Sequence, residues 1–194
     1  MSRYDRRTAL IVVDVQNDFA DPGGGLYVAG GDAIIPAVNA AVAAARGAGA
    51  QIVYTTDWHP ADTPHFAKDG GVWPVHCVKG TWGAQLHPDL HVDGDIVRKG
   101  TAGEDGYSGF GVRDPQTGEE TTTGLAALLR ARGVQRVVVV GIAGDVCVKA
   151  TALDALRAGF DTTVERAATA SVNLQAGDED RAFTEMAGAG VLVS

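Results

Sequence analysis

The sequence predicts an α/β protein: a three-layer α/β/α sandwich around a mostly parallel, doubly wound sheet. Short runs rich in valine and isoleucine alternate with segments of helical periodicity. Such runs are typical of parallel strands that are buried on both faces. Glycines follow the helical segments where helices usually end. Because no linker or internal repeat is visible, we expect a single domain over residues 1–194.

The predicted elements follow from these patterns in chain order. Valine- and isoleucine-rich runs place strands at residues 8–14, 51–56, 95–98, 135–140, 162–165 and 191–193. Apolar residues at helical spacing place helices at residues 34–45, 125–132, 145–158 and 179–187. Residues 57–90 contain several prolines and glycines with weak periodicity. A loop that long in a compact domain is usually functional.

The composition argues against several classes of partner. The formal net charge is −8, and no cluster of lysine or arginine stands out, so we expect neither nucleic acid nor a membrane surface as partner. No apolar run reaches membrane-spanning length, and the N-terminus lacks the apolar core of a signal peptide. The two cysteines, Cys77 and Cys147, form no CxxC motif. A reduced, cytoplasmic setting is the simplest expectation.

Residues able to do chemistry follow the predicted strands. Asp14 ends the first strand, Asp57 follows the second, Lys99 the third, and the turn before Cys147 the fourth. In an open parallel sheet, ligands bind outside the carboxyl ends of the strands. This convergence favours an enzyme. Taken singly, Asp14 fits a loop cap better than a catalytic role, and Lys99 fits a solvated strand end better still.

Cys147 is the candidate nucleophile. It is predicted just inside a helix N-terminus, with Asp145 as the N-cap, where unpaired amides and the helix dipole favour a thiolate. The same amides could stabilise an oxyanion. A buried cysteine that fills the core is the alternative, and the turn alone leaves both open.

The long loop carries candidate metal ligands. Asp57 and His59 stand two residues apart, and His65 and His76 follow in the same loop. One aspartate and two histidines suit Zn²⁺, Mn²⁺ or Fe²⁺. His87 and His91 have no such neighbours and are interpreted as surface residues.

Five segments together resemble the nicotinamidase branch of the isochorismatase-like cysteine hydrolases. They are residues 9–19 (ALIVVDVQNDF), 56–59 (TDWH), 73–80 (WPVHCVKG), 99–110 and 141–148 (GIAGDVCV). They occur in order and span nearly the whole chain. The resemblance implies the isochorismatase-like hydrolase fold and hydrolysis of nicotinamide, and also of pyrazinamide, without an organic cofactor. It leaves the oligomeric state, including a homo-oligomer, open.

The resemblance also implies roles for individual residues. The catalytic triad would be Asp14, Lys99 and Cys147. A cis peptide bond between Ile142 and Ala143 would direct the Ala143 amide toward the oxyanion, beside the amide of Cys147. The remaining residues would form the metal and substrate sites: Asp57, His59 and His76 as ligands of one divalent metal ion (Zn, Fe or Mn), His65 as a further candidate ligand, Phe19 and Trp73 on the two faces of the ring, and Tyr107 near the pocket mouth.

One position departs from the family pattern. Members usually carry threonine where this chain has Gly144, and glycine is expected to loosen the turn before the nucleophile. Three other functions stay open: an amidase of the superfamily acting on a ureido or carbamoyl compound, an isochorismatase, and a non-catalytic small-molecule binder.

Overall fold

Six parallel strands form the central sheet. The computed structural model describes residues 3–194, so Met1 and Ser2 of the charged N-terminus lie outside it. The strands of this sheet are β1 (Thr8–Val13), β2 (Gln51–Asp57), β3 (Asp95–Lys99), β6 (Arg136–Ile142), β7 (Asp161–Ala170) and β8 (Leu192–Val193). Their order is β3-β2-β1-β6-β7-β8, and all neighbours run parallel. The chain thus winds outward from β1 in one direction and from β6 in the other, as predicted.

Helices cover both faces of the sheet. They are α1 (Asn17–Ala20), α2 (Ile35–Gly47), α3 (Leu125–Ala131), α4 (Lys149–Arg157) and α5 (Asp178–Ala189). Three features were not predicted: the short helix α1, a 3₁₀ turn (Ala67–Asp69), and a small antiparallel hairpin of β4 (Gly111–Arg113) and β5 (Glu120–Thr122). All three are too short to produce a periodic pattern. None of the helices within residues 3–194 has the length and apolar character needed to cross a membrane.

The core has two halves because side chains alternate along each strand. In β1, Leu10 and Val12 face the half that contains α2, whereas Ile11 and Val13 face the half with α3, α4 and α5. All four side chains are fully buried. Burial of each side chain stabilises the fold by about 1.5–3 kcal/mol relative to leaving it exposed. This burial holds β1 in place, and with it the residues that follow the strand.

The expectation that the third strand is fully buried is wrong. β3 is the outermost strand on its side of the sheet, and Ile96 is 50% exposed. Only its end, Lys99, is completely buried. Asp57 of β2 pairs directly with Lys99 in the parallel register. The sheet therefore brings these two charges together at its carboxyl edge.

Candidate active site

Lys99 lies at the centre of a buried charge cluster. Its Nζ is 2.6 Å from Asp14 Oδ2 and 2.5 Å from Asp57 Oδ1. Nζ also donates to the Gly106 carbonyl oxygen and lies 3.8 Å from Cys147 Sγ. Burial favours the neutral amine, but Asp14 and Asp57 outweigh it and raise the pKa of Lys99 well above its usual range. The side chain is thus a permanent cation beside the thiol.

Asp14 is held in an unusual backbone conformation at the end of β1. Its φ is +50°, a left-handed value that aspartate adopts more readily than most residues. Oδ1 accepts a 2.6 Å hydrogen bond from Thr55 Oγ1, while Oδ2 has its ion pair with Lys99 but no hydrogen bond. Burial raises the pKa of Asp14 to about 6 although Lys99 opposes the shift. The carboxylate can therefore accept a proton near neutral pH.

Cys147 lies in a π-helical turn, Gly144–Val148, between β6 and α4. The peptide bond Ile142–Ala143 at the start of this turn is cis, which agrees with the expectation. The Cys147 sulfur and carboxylate oxygens of Asp14 and Asp57 all lie within 4.8 Å of one another. The structure therefore brings Asp14 and Cys147, the other two predicted triad residues, together beside Lys99.

Two expectations about this turn are wrong. Asp145 does not cap the helix: Ala143 occupies the N-cap position, and the Asp145 carboxylate accepts hydrogen bonds from the amides of Val172 (2.9 Å) and Asn173 (2.7 Å). Nor does the turn favour a resting thiolate. Burial raises the pKa of Cys147 well above its usual range; Lys99 lowers the pKa, and Asp14 and Asp57 raise it. The proton must therefore leave during the reaction.

Three buried histidines form a second cluster beside Asp57. Ligand nitrogens of His59, His65 and His76 lie within 4.8 Å of one another. Asp57 Oδ2 is 3.8 Å from His59 Nε2 and 3.7 Å from His76 Nε2. Asp57 thus faces Lys99 with one oxygen and the histidines with the other.

The hydrogen bonds of these histidines fit metal ligation. His65 Nδ1 lies 2.6 Å from Asp105 Oδ1, and His76 Nδ1 lies 2.7 Å from the Pro74 carbonyl oxygen. Such partners place a proton on Nδ1 and leave Nε2 free to bind a metal. Both ring nitrogens of His59 are buried without a hydrogen bond, which costs about 1–3 kcal/mol per group unless another ligand satisfies it.

His65 is suited to stay neutral. Burial lowers the pKa of His65 to about 4, because the effects of burial and of His59 and His76 exceed that of Asp105. A neutral imidazole keeps the lone pair that a metal requires. One carboxylate and up to three imidazoles form a donor set that fits a divalent transition metal.

A partly open cavity borders Cys147. Phe19 and Trp73 line it, and the Trp73 Nε1 group donates a 3.0 Å hydrogen bond to the Tyr107 hydroxyl oxygen. The other lining residues are Leu26, Val28, Asp57, His65, His76, Gly106, Ile142, Ala143, Val146 and Val172. The cavity therefore combines an apolar wall with the histidine cluster and the thiol, which suits a flat ring bearing a reactive polar group.

Comparisons with known proteins agree with this architecture. The Isochorismatase domain model matches residues 8–194. The chain belongs to the isochorismatase family. A nicotinamidase of Acinetobacter baylyi is 41% identical over 202 residues, which cover 94% of this chain and 90% of the relative.

Solved structures of the isochorismatase family superpose closely on the chain. The pyrazinamidase of Pyrococcus horikoshii in complex with zinc is 43% identical, with a TM-score of 0.86 over 97% of this chain and 98% of the other. PnC1 from L. infantum in complex with nicotinate is 39% identical, with a TM-score of 0.88 over 97% of this chain and 92% of the other. These likenesses cover nearly the whole chain.

Gly144 is the position that was expected to depart from the family pattern. A Cβ atom at this position would lie 2.5 Å from Ser171 Oγ and 2.8 Å from Thr169 Cγ2. The space of the missing side chain is therefore filled by the end of β7 and the residue after it. The turn is therefore packed by residues at the end of the neighbouring strand, and the expectation of a loose turn stays a prediction.

Two further histidines were expected at the surface. His91 is exposed, as predicted. His87 is buried instead, at 8% exposure, and its backbone amide donates to the Val15 carbonyl oxygen at 2.9 Å. The error arose because the contact of this loop with the segment after β1 is tertiary and leaves no local signal.

Sequence reasoning also missed supporting residues. The Gln16 side-chain amide is fully buried; Oε1 accepts from the Asp57 amide at 2.8 Å, and Nε2 donates to the Asp57 carbonyl oxygen at 2.8 Å. Gln16 thereby fixes the backbone of Asp57. Its position two residues after Asp14, inside a buried run, could have indicated a role. Asp105, Gly106 and Thr55 gave no such signal.

Proposed function

We propose that this protein hydrolyses nicotinamide to nicotinic acid and ammonia through a thioester on Cys147, with pyrazinamide as a second substrate. The observation that carries the proposal is the convergence of Asp14, Lys99 and Cys147 in one buried cluster, with Cys147 lining a cavity that His65 and His76 also line. The high identity to nicotinamidases over most of the chain supports the choice of substrate.

The first half of the proposed reaction forms the thioester. Asp14, which has a carboxylate oxygen within 4.8 Å of the Cys147 sulfur, takes the thiol proton as a general base. Lys99 stabilises the sulfur anion because its ammonium lies 3.8 Å from Sγ. Cys147 then attacks the carboxamide carbon. Asp14 returns the proton to the departing ammonia.

The second half releases the acid. The backbone amides of Ala143 and Cys147 donate to the oxyanion in both halves, which lowers the barrier without reorganisation of the site. After ammonia leaves, Asp14 is again a carboxylate and can activate a water molecule. Attack of that water on the thioester carbon frees nicotinic acid and restores the thiol, with Asp14 returning the proton to sulfur.

One divalent metal ion would be held by Asp57, His59 and His76, with His65 as a further ligand. The buried ring nitrogens of His59 without hydrogen bonds support this set. Zinc is our first candidate because the pyrazinamidase of P. horikoshii is in complex with it; Fe²⁺ and Mn²⁺ suit the same donors. When bound, the metal supplies a Lewis acid for the ring nitrogen of the substrate. Phe19 and Trp73 would contact the two ring faces, and Tyr107 would support Trp73.

Ammonia release from a panel of substrates tests the proposed function. We expect release from nicotinamide and pyrazinamide, little or none from ureido and carbamoyl compounds, and no turnover of isochorismate. Preferred release from a ureido or carbamoyl compound would assign a different amidase. Tight binding of nicotinamide without turnover would assign a non-catalytic binder.

Metal removal is expected to reduce turnover. His76→Ala removes one imidazole, so metal affinity should fall by more than the ~10–100-fold that loss of an outer-shell partner costs. Elemental analysis after purification should show about one metal per chain in the wild type, and prolonged chelation should lower both metal content and kcat. His91→Ala, an exposed histidine, is the control and should keep both. Active wild-type protein without metal would refute the metal site.

The ring nitrogen is expected to govern substrate choice. Benzamide has the same shape as nicotinamide but offers nothing to the metal. Its kcat/KM should be at least ~10-fold lower if that contact contributes ~1.4 kcal/mol to the transition state. Trp73→Ala should lower kcat/KM for nicotinamide and leave metal content unchanged, since Trp73 contributes only an aromatic face and its bond to Tyr107. Equal kcat/KM values for benzamide and nicotinamide would show that the metal does not orient the substrate.

A further inference from the structure

The Asp18 carboxylate joins two loops that are distant in sequence. It lies in α1, four residues after Asp14. Oδ2 accepts a 2.6 Å hydrogen bond from the Cys77 amide, and Oδ1 accepts a 2.8 Å hydrogen bond from the Gly25 amide. The Asp18 backbone joins the same arrangement, because its amide donates to the Gly83 carbonyl oxygen at 3.0 Å and its carbonyl accepts from Leu26 at 3.0 Å.

The geometry requires a carboxylate at this position. Two backbone donors approach it, one at each oxygen, so both oxygens must be acceptors. Such charge-assisted hydrogen bonds are roughly twice as strong as neutral ones. Gly83 packs so closely that a Cβ atom there would lie 2.1 Å from Asp18 Oδ2. Glycine is therefore needed for the carboxylate to reach the Cys77 amide.

The bond to Cys77 acts next to a candidate metal ligand. Cys77 has a φ of +45°, which is uncommon for a residue with a side chain. His76, the preceding residue, has its Nε2 3.7 Å from Asp57 Oδ2. The hydrogen bond from the Cys77 amide thus fixes the backbone that aims the His76 imidazole at the metal site.

The bond to Gly25 acts on a second segment, which leads into the apolar wall of the cavity. Leu26 and Val28 follow Gly25 and line the apolar wall. Phe19, the residue after Asp18, also lines the cavity, and its ring centroid is 5.3 Å from that of His76. One carboxylate therefore joins the segment of the ligand His76 to the segment that forms the wall for the substrate ring.

We propose that Asp18 is a positioning residue that couples the metal site to the substrate pocket by holding the Cys77 and Gly25 amides together. This rests on the metal site of the proposed function. A purely structural role would affect the stability of the fold and leave the affinity for metal unchanged. The positioning role affects metal affinity and the KM for nicotinamide together.

The test compares zinc affinity and stability among three zinc-loaded proteins: the wild type, Asp18→Asn and Asp21→Asn. Asparagine keeps the shape of Asp18 but places an NH₂ group against a backbone N–H. Asp21 is the matched control, because its carboxylate also accepts from a loop amide, that of Gly23 at 2.7 Å, and makes no hydrogen bond to residues 76–77. Zinc affinity is measured by competition with a chromogenic chelator, and thermal unfolding is followed in parallel.

We expect Asp18→Asn to bind zinc at least about 10-fold more weakly, the loss typical of an outer-shell partner, and to raise KM for nicotinamide. Asp21→Asn should bind zinc as the wild type does. Gly83→Ala provides a second variant should Asp18→Asn fail to fold: its methyl group displaces the carboxylate without removing it, and zinc affinity should fall similarly. Unchanged zinc affinity in Asp18→Asn, or an equal loss in Asp21→Asn, would overturn the proposal. A wild type that binds no zinc would instead refute the metal site itself, and the inference with it.

Discussion

Replacing Cys147 with alanine or serine is expected to abolish nicotinamide hydrolysis, with kcat reduced by about 10⁴-fold or more, as for other covalent nucleophiles. Alanine has no nucleophile. Serine keeps one, but its hydroxyl is far harder to deprotonate beside the buried Asp14 and Lys99. Initial rates of ammonia release, with metal content measured in the same samples, provide the measurement.

Cys77→Ala is the matched control. Cys77 is also buried, but its thiol makes only a 3.9 Å contact with the Gly83 carbonyl oxygen. Its backbone amide, which the substitution keeps, makes the bond to Asp18. This variant should therefore keep most of its activity. An active Cys147→Ala protein would eliminate the thioester mechanism.

Lys99→Met is expected to impair both folding stability and catalysis. The substitution keeps an unbranched chain but leaves Asp14 and Asp57 buried without their cation. Breaking a buried ion pair in this way typically costs about 3–5 kcal/mol in the free energy of unfolding. The rate should fall by at least about 100-fold, because the sulfur anion and the thiol proton transfer lose their electrostatic support.

Denaturant unfolding and ammonia release on the same protein measure the two effects. Lys79→Met, at an exposed lysine in the ligand loop, should change neither appreciably. Wild-type stability in Lys99→Met would mean that the two carboxylates need no cation. Wild-type turnover in Lys99→Met would show that Lys99 has no role in the mechanism.

The sequence predicted the sheet and the place of the site because both follow from local patterns. The buried runs ending at Asp14 and Asp57, and the run before the Cys147 turn, each gave a strand, and parallel strands bring their carboxyl ends to one edge. The topology then places Asp14 and Cys147 on either side of the point where the winding direction reverses.

What the sequence could not predict depends on contacts between distant segments. Asp145 binds the amides of Val172 and Asn173 instead of capping its own helix, and His87 is buried by a contact with the segment after β1. The burial that raises the pKa of Cys147 comes from all the surrounding elements at once. Local propensity contains no information about such partners.

Product analysis in the presence of hydroxylamine tests the central claim most directly. A thioester on Cys147 is open to attack by hydroxylamine as well as by water, so the wild-type enzyme acting on nicotinamide should form nicotinohydroxamic acid in a share that rises with hydroxylamine concentration. Ammonia should still be released from nicotinamide. The Cys147→Ala variant should form neither nicotinic acid nor nicotinohydroxamic acid. If nicotinic acid remains the sole product at every hydroxylamine concentration, or if nicotinamide is not consumed at all, the account of a thioester-forming nicotinamide hydrolase is contradicted.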